Sequence, residues 1–138
     1  VPAKHDLERY LTAYARSLGI EPHDIEDGMP VLKIAFSGVV EGRPGALHGG
    51  ATSGLLETAG YAALRARLQR DGRNPQLKPI NITVQFLSAG KQKVTYAKGR
   101  ITRLGRRNAN VSVEAWQDDR ERPIATAIMN ILMADREG

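Results

Sequence analysis

Residues 45–64 read GALHGGATSGLLETAGYAAL, a glycine-rich loop that runs straight into a stretch apolar or small on every side. From Ala51 to Leu64 the only ionisable groups are Glu57 and the Tyr61 phenol, and the phenol does not titrate near neutral pH. A helix with no polar face is a buried one. Gly54 and Gly60 inside it each cost about 1 kcal/mol relative to alanine, which implies a backbone packed closely against a sheet. The segment is expected to be the central helix of the fold.

Outward from it the pattern changes twice. On the N-terminal side, Leu7, Tyr10, Leu11, Tyr14 and Leu18 recur at helical spacing, so an amphipathic helix is expected over 6–18, with Asp6 able to cap it and Gly19 to end it. Residues 31–40 set Leu32, Ile34 and Phe36 against Lys33 and Ser37 at period two, which suits a half-buried strand. On the C-terminal side the polar run DGRNPQLKP closes the long helix, and strands are expected over 80–87, 93–103, 108–117 and 123–133. Ser88-Ala89-Gly90, Leu104-Gly105-Arg106 and Asp118-Asp119 mark the turns between them. The last strand, nearly apolar on both faces, belongs mid-sheet or in a second interface. Helix, strand, long buried helix and four consecutive antiparallel strands make an α+β layer arrangement, a sheet wrapped around one helix.

The 138 residues, 41% hydrophobic and 25% charged, suit one domain over 1–138. The absence of Cys excludes thiol catalysis and Cys-ligated metals, and makes a reducing, cytoplasmic setting the expectation. No run approaches the roughly 20 apolar residues of a bilayer span, so no membrane is expected. The opening residues, with Lys4, His5, Asp6, Glu8 and Arg9, do not read as a signal peptide. The net charge of +5 is uneven: residues 61–110 hold twelve bases against the single acid Asp71. Such a segment is a candidate anion site. Without a basic-aromatic motif, nucleic acid is the weakest choice of anion.

Glu57 needs a reason to sit in a buried helix. It either meets a Lys or Arg from the sheet or a second copy, or it is a partly desolvated carboxylate in a cleft, working as nucleophile or general base. The loop before it favours the second reading. Gly45 to Gly50 bring bare backbone to a helix N-terminus, where free N–H groups and the helix dipole suit a negative oxygen. Gly49 precedes Glu57 by eight residues, about 12 Å along a helix. Both must therefore address one substrate along the helix flank, and a second subunit can close the site.

The pattern Gly45, His48-Gly49-Gly50, Leu55, Glu57, Ala59 resembles the signature of the hotdog-fold acyl-CoA thioesterases of the phenylacetate-degradation (PaaI-like) group, which includes 4-hydroxybenzoyl-CoA thioesterases. The order of elements agrees over nearly the whole chain. The resemblance implies a long helix as the sausage, an antiparallel sheet as the bun, and homodimers or homotetramers. It also implies that Gly49 N–H polarises a thioester carbonyl and that Glu57 attacks it or activates water. No metal is required, and coenzyme A enters only as part of the substrate. His48 counts with the catalytic set chiefly as a residue that shapes the loop.

Two departures stand out. Many members carry Asn or Gln six residues before the motif His, where this chain has Gly42; its neighbours Glu41 and Arg43 are expected to face elsewhere on a strand. Hydroxyl positions of some relatives hold Pro79, Ile80 and Asn81 at the start of the strand after the helix, and Tyr61 one turn past the acid. Gly50, Tyr61 and Asn81 are accordingly the substrate-binding candidates, with Leu55 and Phe86 as further candidates for the acyl pocket. Arg106 and Arg107 are the candidates for the coenzyme A phosphates, with Arg103 and Lys78 behind them, because a guanidinium fork pairs with phosphate oxygens. The competing readings are a hotdog enoyl- or 3-hydroxyacyl-CoA (de)hydratase using His48 with Glu57, and a non-catalytic acyl-CoA binding module.

Overall fold

A computed structural model describes residues 4–136. The glycine pair after His48 and the apolar stretch that follows form helix α2, Gly49–Arg70. Leu55, Leu56, Ala59, Gly60, Ala63 and Leu64 of α2 are buried, against a six-stranded antiparallel sheet in the order β1-β2-β4-β5-β6-β3. The strands are β1 Ile20–Glu26, β2 Met29–Ile34, β3 Gln76–Phe86, β4 Thr95–Leu104, β5 Asn108–Trp116 and β6 Ala125–Ala134. The architecture is the expected α+β hotdog arrangement. Alternate residues of β5 (Ala109, Val111, Val113, Ala115) and β6 (Ala125, Ala127, Met129, Ile131, Met133) face the helix and form the core with it.

Helix and sheet approach so closely that side chains are missing by necessity. A Cβ on Gly99 of β4 would stand 2.8 Å from Ala63 Cβ and 3.0 Å from the Ala59 carbonyl oxygen. One on Gly60 would overlap Met129 Sδ and lie 3.1 Å from Val113 Cγ2. Gly60 therefore does what its place in the helix implied. Gly54 does not touch the sheet: its open side is covered by Leu18 and Tyr14.

Several expectations need correcting. The N-terminal helix over 6–18 is two pieces, a 3-10 helix Lys4–Tyr10 and a short helix α1, Ala13–Ser17. Thr12 interrupts them by taking an extended conformation and accepting the Ala15 N–H at 3.1 Å as an N-cap. The expected strand 31–40 ends at Ile34, and Gly38–Val40 turn as a 3-10 helix. Strand β1 was not anticipated, because IEPHDIE carries a proline and three acids; it is an edge strand, with a register shift between Pro22 and Asp24, where a proline is tolerated. A usable signal stands just after it, Asp27-Gly28, both at positive φ, forming a two-residue hairpin loop.

The strand after α2 starts at Gln76, not at residue 80. It pairs only with β6, at the sheet's edge, so β3 and β4 are consecutive in sequence and not neighbours. The apolar last strand is the reason: β6 lies between β5 and β3 and needs a neighbour on each side. Among the described residues, no helix is long and apolar enough to cross a membrane.

Candidate active site

The start of α2 is built by its cap. His48 sits in extended conformation (φ −64°, ψ 134°), its Nδ1 accepts the Gly50 N–H at 2.8 Å, and its carbonyl accepts the Thr52 N–H at 3.0 Å. The first N–H groups of a helix have no partner within it. The imidazole satisfies that of Gly50, while among the described residues the Gly49 N–H has no acceptor. The loop is held from both sides: Leu47 N–H donates to Gly90 O at 2.9 Å, and His48 N–H to Val40 O at 2.7 Å.

A cavity of about 800 Å³ opens beside this helix end, lined by His48, Gly49, Thr52, Phe86, Ser88 and Arg43 among others. That is ample for a small ligand. Phe86 closes on the glycine, since a Cβ at Gly49 would meet its ring at 3.5 Å. Glu41 and Arg43 line the same cavity, against the expectation that they face elsewhere, because the strand stops at Ile34 and they belong to a loop; Glu41 Oε2 accepts the Gly45 N–H at 2.8 Å. The glycine at position 42 also has a reason. A Cβ there would lie 3.0 Å from His48 Cα, so an amide side chain does not fit without moving the motif histidine.

Glu57 lies two turns further along α2 and is exposed, which corrects the expectation that the protomer desolvates it. The residues of its flank, Ser53, Gly54, Thr58 and Tyr61, are small or half-buried, so a segment that reads as buried all round leaves one side open. Tyr61 is half-buried, and its hydroxyl is pushed above its ordinary pKa first by burial and then by the Glu57 charge. It therefore remains a protonated donor. Leu55 is fully buried in the core and lines no acyl pocket.

Asn81, Arg106 and Arg107 meet elsewhere, with Arg103 and Asn130, around a cavity of about 530 Å³. Asn81 Oδ1 accepts the Asn130 side-chain N–H at 2.7 Å. In register, Asn81 is opposite Asn130, on the sheet face away from α2, so it stands apart from Gly49 and Glu57. Lys78 is exposed on β3 and does not line this cavity. The sequence reading missed Arg9, Arg65 and Arg136, which share a further cavity with Tyr61. They are far apart in sequence, and no local pattern joins them.

The described geometry offers a free helix-end N–H, an exposed carboxylate on the same helix, and a basic cavity on the opposite sheet face. The family model for the thioesterase superfamily matches residues 44–124, more than half of the chain. No curated protein matches the chain by sequence. Among solved structures, a protein from Chromobacterium violaceum is 29% identical with a TM-score of 0.72, covering 97% of this chain and 91% of that one. A thioesterase from Haemophilus influenzae superposes with a TM-score of 0.84 at 17% identity, covering 98% and 92%. A phenylacetic acid degradation-related protein from Ralstonia eutropha gives 0.75 at 22% identity, covering 89% and 91%.

Proposed function

The chain belongs to the thioesterase superfamily, and from that premise we propose that it hydrolyses an acyl-CoA or aryl-acyl-CoA thioester to the free acid and coenzyme A. The observation that carries the reading is the division of labour at the start of α2. His48 Nδ1 occupies the Gly50 N–H, and the Gly49 N–H is left to receive a carbonyl oxygen. As the carbonyl carbon becomes tetrahedral, charge grows on that oxygen, and a preorganised N–H reinforced by the helix dipole stabilises it. Glu57 either takes a proton from the attacking water or attacks the carbon itself and is released by water. In both routes the C–S bond breaks and the departing sulfur is protonated to the thiol.

One protomer does not hold both groups at one carbon, since Gly49 and Glu57 are about 12 Å apart along the axis. A site made from the Gly49 of one copy and the Glu57 of another removes the difficulty. Two features support such a homodimer, which can pair further into a homotetramer. Strand β3 is an open edge, and Phe86 and Leu87 at its end are 59% and 56% exposed, more than an isolated protomer is expected to leave beside a cavity. The cavity of Arg103, Arg106 and Arg107 suits the phosphates of coenzyme A. His48 serves the helix end through its Nδ1 lone pair, which counts against a hydratase using that atom.

The test is free-thiol release from short, long and aromatic acyl-CoAs. Wild type should turn over at least one class, and Glu57→Gln should lower kcat by about 100-fold or more. A folded protein that releases thiol from none of them would sink the proposal and favour a binding module.

A further inference from the structure

Past Glu57 the open flank of α2 leads into a cavity of about 450 Å³ whose described lining carries positive charge alone. Arg9, Arg65 and Arg136 line it together with the hydroxyls of Tyr10 and Tyr61, and among the described residues no carboxylate does. The three guanidinium groups arrive from the N-terminal 3-10 helix, from α2 and from the residues after β6. They are held in place by neutral acceptors. Arg65 Nη1 donates to Pro75 O at 2.7 Å, Arg136 Nε to Asn74 O at 2.9 Å, and Arg9 Nη2 to Gln69 Oε1 at 2.7 Å. Each guanidinium has five N–H groups, so these bonds leave donors over. Burial first, and then the neighbouring Arg136 charge, press the Arg65 pKa downward, with Tyr10 opposing.

Tyr61 ties this cavity to the catalytic flank, for it lines the cavity and also feels the Glu57 carboxylate. Glu57, Tyr61 and Arg65 follow at four-residue intervals on one helix face. From Glu57 to Arg65 is about 12 Å along the axis. An extended chain advances roughly 1.2 Å per bond, so an acyl chain of up to about ten bonds spans that distance.

Resting on the thioesterase reading, we propose that this cavity holds a terminal carboxylate on the acyl group, and that the preferred substrates are ω-carboxyacyl thioesters, bound through Arg65, Arg136 and Arg9 with Tyr61 as a hydroxyl donor. Charge-assisted hydrogen bonds from guanidinium to carboxylate supply the selectivity. An uncharged acyl end would leave the cations unpaired and gain nothing from them.

The experiment compares adipyl- to sebacyl-CoA with their terminal methyl esters, which differ only by the removed charge, on wild type, Arg136→Gln and Arg9→Gln. Arg65 is spared because it is half-buried on α2 whereas Arg9 and Arg136 are exposed, and melting temperatures confirm that the variants fold. Wild type should favour the free acid over the ester by about tenfold or more in kcat/KM, and each variant should reduce that ratio several-fold. A wild-type ratio near one overturns the proposal, and so does a ratio that neither variant changes. Variants that raise KM equally for acid and ester would mean that the anion held is a phosphate of coenzyme A, which also overturns it. If wild type hydrolyses neither partner of any pair yet releases thiol from other acyl-CoAs, the proposal is overturned; if it releases thiol from none, the thioesterase reading fails, and calorimetric titration with free suberate decides the cavity separately. Suberate binding lost in Arg136→Gln upholds a carboxylate site, and no binding to wild type removes it.

Discussion

On one flank of α2, Leu55, Leu56, Ala59 and Ala63 are fully buried, and the contact with β4 is so close that Gly99 admits no methyl group. On the other flank, Gly50 and Glu57 are exposed and Tyr61 is half-buried. Apart from Glu57 and Tyr61, both flanks are composed of small or apolar residues, but only the first is completed within the chain. The closed flank carries stability and tolerates no added volume. The open flank carries the candidate chemistry, and under the proposed mechanism a substrate and a second copy complete it. Substitutions on the two flanks should therefore separate activity from stability.

The largest effect should come from Gly49→Pro. Proline suits the first helical position, and His48 before it already has the extended conformation that proline requires. The variant should fold with an unchanged melting temperature while kcat falls about 100- to 1,000-fold, since the N–H is gone. Mixed with Glu57→Gln protein and allowed to exchange subunits, it should regain about a quarter of wild-type activity, because half the dimers are mixed and one of their two sites is intact. No recovery would place Gly49 and Glu57 of each site on the same copy.

Gly60→Val tests the closed flank. With Met129 and Val113 already against the glycine, it should cost about 3 kcal/mol and lower the melting temperature by roughly 10 °C. A loss under about 1 kcal/mol would show that helix and sheet can part more easily than their contact suggests. His48→Ala lies between the two cases. Losing the cap should cost about 1 kcal/mol in denaturant unfolding, with a further fall in activity as the Gly50 N–H is released.

The smallest effect belongs to a pair remote from α2. Arg120 Nη1 lies 2.7 Å from Glu26 Oε1 and, chiefly through that hydrogen bond, holds the carboxyl below its ordinary value of 4.5, with burial opposing and Lys98 assisting. A depressed carboxyl pKa stabilises the fold above the unfolded value, and that contribution is lost as the pH falls through the folded one. Glu26→Gln should then cost under about 1 kcal/mol at neutral pH, as a partly solvated pair does. Thermal melts across acid pH should show wild type and variant converging; a constant gap would mean that ionisation of Glu26 contributes nothing.

Much of this arrangement is legible in one dimension because it is written in local periods. The unbroken run of small and apolar residues located α2, the two-residue alternation located most of the strands, and the glycine loop with its histidine marked the helix end. Strand β1 escaped because an edge strand needs few apolar residues, although Asp27-Gly28 announced its hairpin. The exposure of Glu57 was hidden for the opposite reason: glycine, serine and threonine look the same whether a neighbour already covers them or has still to arrive. The fit of Gly42 against His48 was equally out of reach, since it depends on a loop closing on itself.

What the sequence determined by itself is the central helix, its start after the glycine loop, the carboxylate two turns on and the antiparallel sheet around it, since each follows from residues close together in the chain. Only the tertiary structure decided that β3 leaves the order of the chain to pair with β6, that one flank of α2 stays open, and that Arg9, Arg65 and Arg136 share a cavity. Those outcomes depend on which surfaces meet across long stretches of chain, and no local period records that.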